Sequence, residues 1–318
     1  MRFALSCVVL AAAVVSQASF ELGMALRATE VYRFDAERMI PLGSFGAGRL
    51  IGARAMTTNP VLGEAYVLHG SGKGIAVFDY NTGEYKRGIS LGSSSGYTHI
   101  SIAANGNLLV SGAYGSTSEF AEYSATGGGL QTFRTLTTGY VGIDFIKMPN
   151  NYFYGLARRP VSTSWEYILQ TYNGTALTAT TVLGTTSSTD EYKGLISSGS
   201  RFNITRNTNV PSVFYTALAG GGFSTGVNWS YVFSTGPIVA NAFGHGDLIY
   251  SMRNISFSTP NRYELQPWDP SIMSFVPATY LNGMPEDFVD FVTVIAPEPS
   301  SMVAVMAGAF LLLRRRRN

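Results

Sequence analysis

Val31-Tyr32-Arg33-Phe34-Asp35 and Ile75-Ala76-Val77-Phe78-Asp79 are two copies of one pattern: a short apolar run that ends in an aromatic residue and stops at an acid. Looser copies follow at Phe120-Ala121-Glu122-Tyr123-Ser124 and Tyr167-Ile168-Leu169-Gln170-Thr171-Tyr172. The weakest are Val213-Phe214-Tyr215-Thr216 and Arg262-Tyr263-Glu264-Leu265-Gln266. Runs of this length, rich in β-branched and aromatic residues, read as strands. Turn signals bound them: Asn81-Thr82-Gly83, Asn105-Gly106, Asn150-Asn151 and Asn173-Gly174. No helical stripe of three or more turns is legible between about residue 28 and residue 296.

Working outward, each copy leads within about a dozen residues to another strand, such as Arg87-Gly88-Ile89-Ser90-Leu91, Phe133-Arg134-Thr135-Leu136 or Thr181-Val182-Leu183. Two more strands precede the better copies. They are His99–Ile102 and Asn107–Val110 before the third, and Gly142–Ile146 and Tyr152–Leu156 before the fourth. Four short strands every 40 to 50 residues, roughly, is the period of a β-propeller blade. A lone four-stranded sheet cannot bury both faces, but stacking sheets around an axis does. The sequence therefore predicts an all-β propeller, with six blades as the first choice and seven as the alternative; a β-sandwich or an irregular solenoid is the competing all-β reading. The first unit begins late, so Val31–Phe45 supplies only its last two strands. Its inner strand is expected from the end of the body, Asp287 to Val294, which would close the ring and remove its edges. The pattern is similar to the propeller-type ectodomains of secreted bacterial proteins, without a Trp-Asp signature or a regular double glycine.

Composition agrees with this body and excludes other classes. Of 318 residues only 13% are charged, about half the usual share, while 18 Tyr and 19 Phe make the chain too aromatic for disorder. One cysteine excludes a disulfide scaffold or a cysteine-ligated zinc site. The net charge of +2 offers no basic excess for nucleic acid.

Residues 1–18 read as a secretory signal peptide. Arg2 gives the positive start, Val8 to Val15 the apolar core, and Ser16-Gln17-Ala18 the small residues that place cleavage after Ala18. Cys7 lies in the leader, so the mature chain would hold no cysteine. At the other end, Pro297-Glu298-Pro299 precedes an apolar run, Met302 to Leu313, and then Arg314, Arg315, Arg316 and Arg317. As a short helix the run would measure about 18 Å, less than the ~30 Å hydrocarbon core. Flanking residues and snorkelling arginines would let it span, with the arginines cytoplasmic and the body outside. Motif, apolar run and arginine cluster together resemble the PEP-CTERM sorting signal of Gram-negative bacteria. The resemblance covers the tail alone, residues 297–318, and leaves 19–296 as the extracellular domain. It implies recognition by an exosortase, an integral-membrane processing enzyme, and transient anchoring in the inner membrane. It also implies a final place at the cell surface or in a polysaccharide-rich biofilm matrix. Dropping Arg2 and the four terminal arginines takes Lys+Arg from 22 to 17, and dropping Glu298 takes Asp+Glu from 20 to 19. The body is then near −2, and the pI of 8.6 belongs largely to the tail.

The body shows no catalytic motif, and no metal or cofactor is expected. Gly92-Ser93-Ser94-Ser95-Gly96 matches Gly-x-Ser-x-Gly, but a nucleophile elbow needs a strand before it and a helix after it, whereas here a strand follows a serine-rich loop. His69, His99 and His245 lack metal-ligand spacing; His99 reads as a packed or edge residue, and His245 on its glycine-rich loop is the best isolated polar candidate. Asp79 to Glu84 lacks the full register of a calcium loop and reads as a tight hairpin turn. Four Asn-x-Ser/Thr sequons begin at Asn173, Asn203, Asn228 and Asn254 and carry no weight beside a bacterial sorting tail. A non-catalytic matrix or glycan-binding propeller is therefore expected, its Tyr, Trp and Asn facing sugars. The alternative is an extracellular propeller enzyme, a lactonase, hydrolase or polysaccharide lyase, with Asp144 and Asp290 as inner-strand donors. Three or more acidic or amide side chains converging on the axis would favour the enzyme, and a channel of Gly, Ala, Ser and Thr would oppose it. Ice binding would need a flat, regular threonine array, and the threonines from Thr178 to Thr189 are not regularly spaced.

Overall fold

The computed structural model describes residues 19–297, except positions 94, 115–116, 128, 137–138, 188–191, 199, 207–211, 230–237, 244–247, 256–260, 270–273 and 285–286. Residues 1–18 with the expected cleavage point at Ala18, residues 298–318, Ser94 and His245 lie outside the described residues. Those described form 25 strands and one 3-10 turn, Gly70–Gly72, and none of their helices is long and apolar enough to cross a membrane.

The strands assort into six antiparallel sheets, five of four strands and one of five. Sheet 1 is ordered Asp290–Pro297, Ser19–Leu26, Val31–Asp35, Ile40–Phe45. In the other sheets the order follows the chain, and their first strands are Ala55–Asn59, Ser95–Ile102, Val141–Lys147, Tyr192–Ser198 and Ile238–Phe243. All six copies of the opening pattern are third strands. In the first three copies the acid or serine at the end caps the turn beyond it. Asp35 Oδ1 accepts from the amides of Glu37 and Arg38 at 2.9 Å each, and Asp79 Oδ1 from Asn81 and Thr82 at 2.9 and 3.0 Å. The hairpin reading of Asp79 to Glu84 therefore holds.

The first strands touch one another in a circle. Asp290–Pro297 packs on Ala55–Asn59, and contact passes through each sheet in turn until Ile238–Phe243 returns to Asp290–Pro297. These are the inner strands of a β-propeller. Because four antiparallel strands return the chain to the end from which it started, every inner strand begins at the same mouth of the axis, here called the upper mouth. The sheet made from both termini is closed along its whole length, from Ser19↔Pro297 to Leu26↔Asp290. The sequence reading supplied its inner strand but not Ser19–Leu26, which begins at the first described residue. Its Leu22, Met24 and Leu26 point into the layer between sheets 1 and 2.

The core consists of such layers between neighbouring sheets. Between sheets 3 and 4, Phe120 stacks on Phe145 at 4.7 Å and 10°, and Phe145 on Phe153 at 5.3 Å and 14°. Gly155 makes this possible, since a Cβ there would lie 2.4 Å from Phe120 Cε2.

Candidate functional site in the axial channel

The inner strands enclose a cavity of about 340 Å³ on the ring axis. Its charged lining comes from Arg54, His99, Asp144, Lys193 and Asp290. Asp144 and Asp290 hold the same station on their strands, each just before a phenylalanine. Asp144 Oδ1 accepts from the Phe145 amide at 2.7 Å, and Oδ2 accepts from the Leu195 amide of the next sheet, also at 2.7 Å. Asp290 repeats this with Phe291 at 2.8 Å and with Met56 of the next sheet at 2.7 Å. Each carboxylate therefore clasps its own inner strand to its neighbour's. The bonds set Asp144 level with Gly194 and Asp290 level with Ala55, and matching bulges before His99, Asp144 and Gly194 put those three at one station. A Cβ at Gly194 would crowd this cluster, lying 3.0 Å from Asp144 Oδ2 and 3.1 Å from His99 Nε2.

Burial pushes both carboxyls up from the ordinary aspartate range, against the opposing pull of the His99 imidazole and of the two amides each accepts. Asp290, which also faces the Asp144 charge, reaches about 6. His99 belongs to this cluster and not to a packed edge: its side chain is 30% exposed, and Nε2 stands 3.8 Å from Asp144 Oδ2, beyond hydrogen-bond reach. Arg54 and Lys193 escaped the sequence reading. Each sits one residue before the clasp station, a signal visible only once the inner strands are aligned.

The structure thus brings Asp144 and Asp290 together with His99. His69 is elsewhere, at the end of a second strand, with Nδ1 buried and unpartnered. Ser94, the central serine of the Gly-x-Ser-x-Gly match, lies outside the described residues; Ser95 after it hydrogen-bonds through Oγ to the Gly92 carbonyl at 2.7 Å and opens a strand. Two carboxylates and one histidine converge, short of the three acidic or amide groups an enzyme was expected to show, and both carboxylates already accept two backbone bonds. The hydroxyls near His99 are also engaged: Ser101 donates to the Phe145 carbonyl, and Thr205 to the Gly194 carbonyl at 3.2 Å. Among the described residues no group of three or more His, Cys, Asp or Glu side chains is placed to hold a metal ion.

No family model and no curated protein sequence matches the chain. Solved structures match its fold. A chain of a nidogen/laminin complex aligns over 86% of this chain and 98% of its own, with TM-score 0.59 and 12% identity. The periplasmic gluconolactonase of Pseudomonas aeruginosa aligns over 88% and 99%, with TM-score 0.54 and 12% identity. A β-propeller domain from Myceliophteria thermophila aligns over 87% and 90%, with TM-score 0.54 and 9% identity. At such identities the likeness extends to the propeller fold alone.

Proposed function

We propose that the chain is an exported surface or matrix protein whose propeller binds extracellular glycan without catalysis. One observation carries the reading: every oxygen of the two axial carboxylates already accepts a backbone amide, one on its own inner strand and one on the next, so both side chains serve the fold. The six sheets then serve as six blades of one ring, and the channel and faces of that ring offer ligand surface. The sorting tail, with Pro297, Glu298 and Pro299 ahead of the apolar run and Arg314 to Arg317, supports export, exosortase processing and delivery to the matrix. The alternative, an extracellular lactonase, hydrolase or polysaccharide lyase, would rest on His99 with Asp144 and Asp290 beside it.

The test is an exopolysaccharide pull-down and a glycan array with residues 19–297, the span that closes on itself. Retention of a polysaccharide class without turnover, undiminished by His99→Ala, is the expected result. Absence of any binding overturns the glycan reading, and turnover lost in His99→Ala overturns the non-catalytic one. For the tail, alanines at Pro297, Glu298 and Pro299 should leave the chain uncut in the membrane, and normal release of that variant overturns the sorting reading.

A further inference from the structure

We infer that the ring stands on the membrane by its lower face, the tail leaving beside the axis, with the upper mouth and its Arg54, His99 and Lys193 turned outward. The inference rests on the proposed reading of residues 297–318 as a membrane-inserting tail. Its own foundation is the register of the closing sheet. Ser19 pairs with Pro297, so the ends that join the leader and the tail lie side by side at the lower end of one sheet. Pro297 also ends an inner strand, so the chain departs from beside the axis and not from the rim. A tether at the rim would let the disc hang edge-on, whereas one beside the axis holds a whole face toward the anchor.

The link is short. Five Cα steps separate Pro297 from Met302, a reach of at most about 18 Å. Pro297 is then held within that distance of the lipid headgroups, and the turns of the lower face around it, among them Pro60–Gly63 between the first two strands of sheet 2, face the lipid. The loop from Gly46 to Arg54 leads into an inner strand and belongs to the opposite face. While the chain is anchored, a ligand would therefore reach the axial cavity from the upper mouth, because the lower one faces the membrane.

The sequence suits a direct test, because its single cysteine is Cys7 in the leader. The full chain, with Cys7→Ala, is expressed without an exosortase so that the tail stays uncut. It carries one cysteine at Ile51→Cys on the upper side or Val61→Cys on the lower, positions 74% and 90% exposed. Spheroplasts are treated with a maleimide on a polymer too bulky for an 18 Å gap, and the rates are compared with those in detergent. Val61→Cys is expected to react at least about tenfold more slowly in spheroplasts, and Ile51→Cys within about twofold of its detergent rate. A twenty-residue Gly-Ser insert between Ser301 and Met302, reaching about 25 Å on average, should restore most of the Val61→Cys rate. Equal rates at the two sites, or protection of Ile51→Cys instead, overturn the orientation and leave the tail reading standing. Recovery of the chain in the soluble fraction overturns the tail reading and this inference with it.

Discussion

A single methyl group separates the packed layer of sheets 3 and 4 from a strained one. Phe120 is buried, lies flat on Phe145 and meets Tyr172 edge-on at 6.2 Å. Its ring has no room to retreat from a Cβ 2.4 Å away. Gly155→Ala should therefore destabilise the fold by about 2 kcal/mol, within the usual cost of overpacking, read as a lower urea midpoint with an unchanged m-value. Asp144→Ala acts differently, because it strands two buried donors. The Phe145 and Leu195 amides lose their only carboxylate acceptor, and an unsatisfied buried donor costs about 1–3 kcal/mol. The expected sign is loss of stability, with near-UV dichroism reporting looser packing where sheets 4 and 5 meet. Neither effect was legible in the sequence. Gly155 stands in an ordinary strand pattern, and Asp144, a candidate only for the alternative enzyme site, is engaged with the backbone. A sequence shows that an aspartate begins an inner strand, but not which amide comes within reach when the next sheet docks.

Strands were legible where a local rule suffices. The aromatic ending, the capping Asp or Ser and the Asn-Gly turns are all local, and every copy of the repeat became the third strand of a sheet. Ser19–Leu26 was not read, because its partner, Asp290–Pro297, lies at the other end of the chain and pairing of that kind leaves no local mark. The closing strand also carries an element-scale prediction. Without it, Leu22, Met24 and Leu26 lose an inner cover, and Ala55–Asn59 loses the carboxylate that accepts from Met56. A chain ending at Val289 should therefore lose the single cooperative thermal transition of the chain ending at Pro297, as measured by circular dichroism. Equal transitions in the two would show that the ring does not depend on its closure.

At the scale of the whole molecule, seven of the 20 acids are buried among the described residues. Glu21, Asp35, Glu64, Glu119, Glu122, Asp144 and Glu264 are all buried. Several hold tyrosine hydroxyls: Tyr66 bonds to Glu64 at 2.5 Å, Tyr250 to Glu21 at 2.8 Å, and Tyr97 to Glu119. A sparsely charged body of this kind has a pH profile set by its interior. Arg87, hydrogen-bonded to Glu64 at 2.8 Å, holds that carboxyl down at about 2, so its contribution is lost only as pH falls below the ordinary carboxylate range. Asp290 has the opposite sign. Its folded value of about 6 lies above the unfolded 3.8, so the stability it confers is full below 3.8 and is lost as pH rises through about 6. Asp144 and Glu119, both raised by burial, act in the same direction. From pH 7 to pH 5 the Asp290 carboxyl alone should add about 1 kcal/mol, and at full protonation at most about 3 kcal/mol. The urea midpoint should accordingly rise on acidification to about pH 5 and fall again at lower pH, where Glu64 and the other paired acids protonate. Asp290→Asn should flatten the rise between pH 7 and pH 5 while leaving the acid limb unchanged. A midpoint that falls steadily from pH 7, in both the natural chain and the variant, would mean that the amide bonds of Met56 and Phe291 outweigh burial, and that the clasp is anionic at neutral pH without penalty.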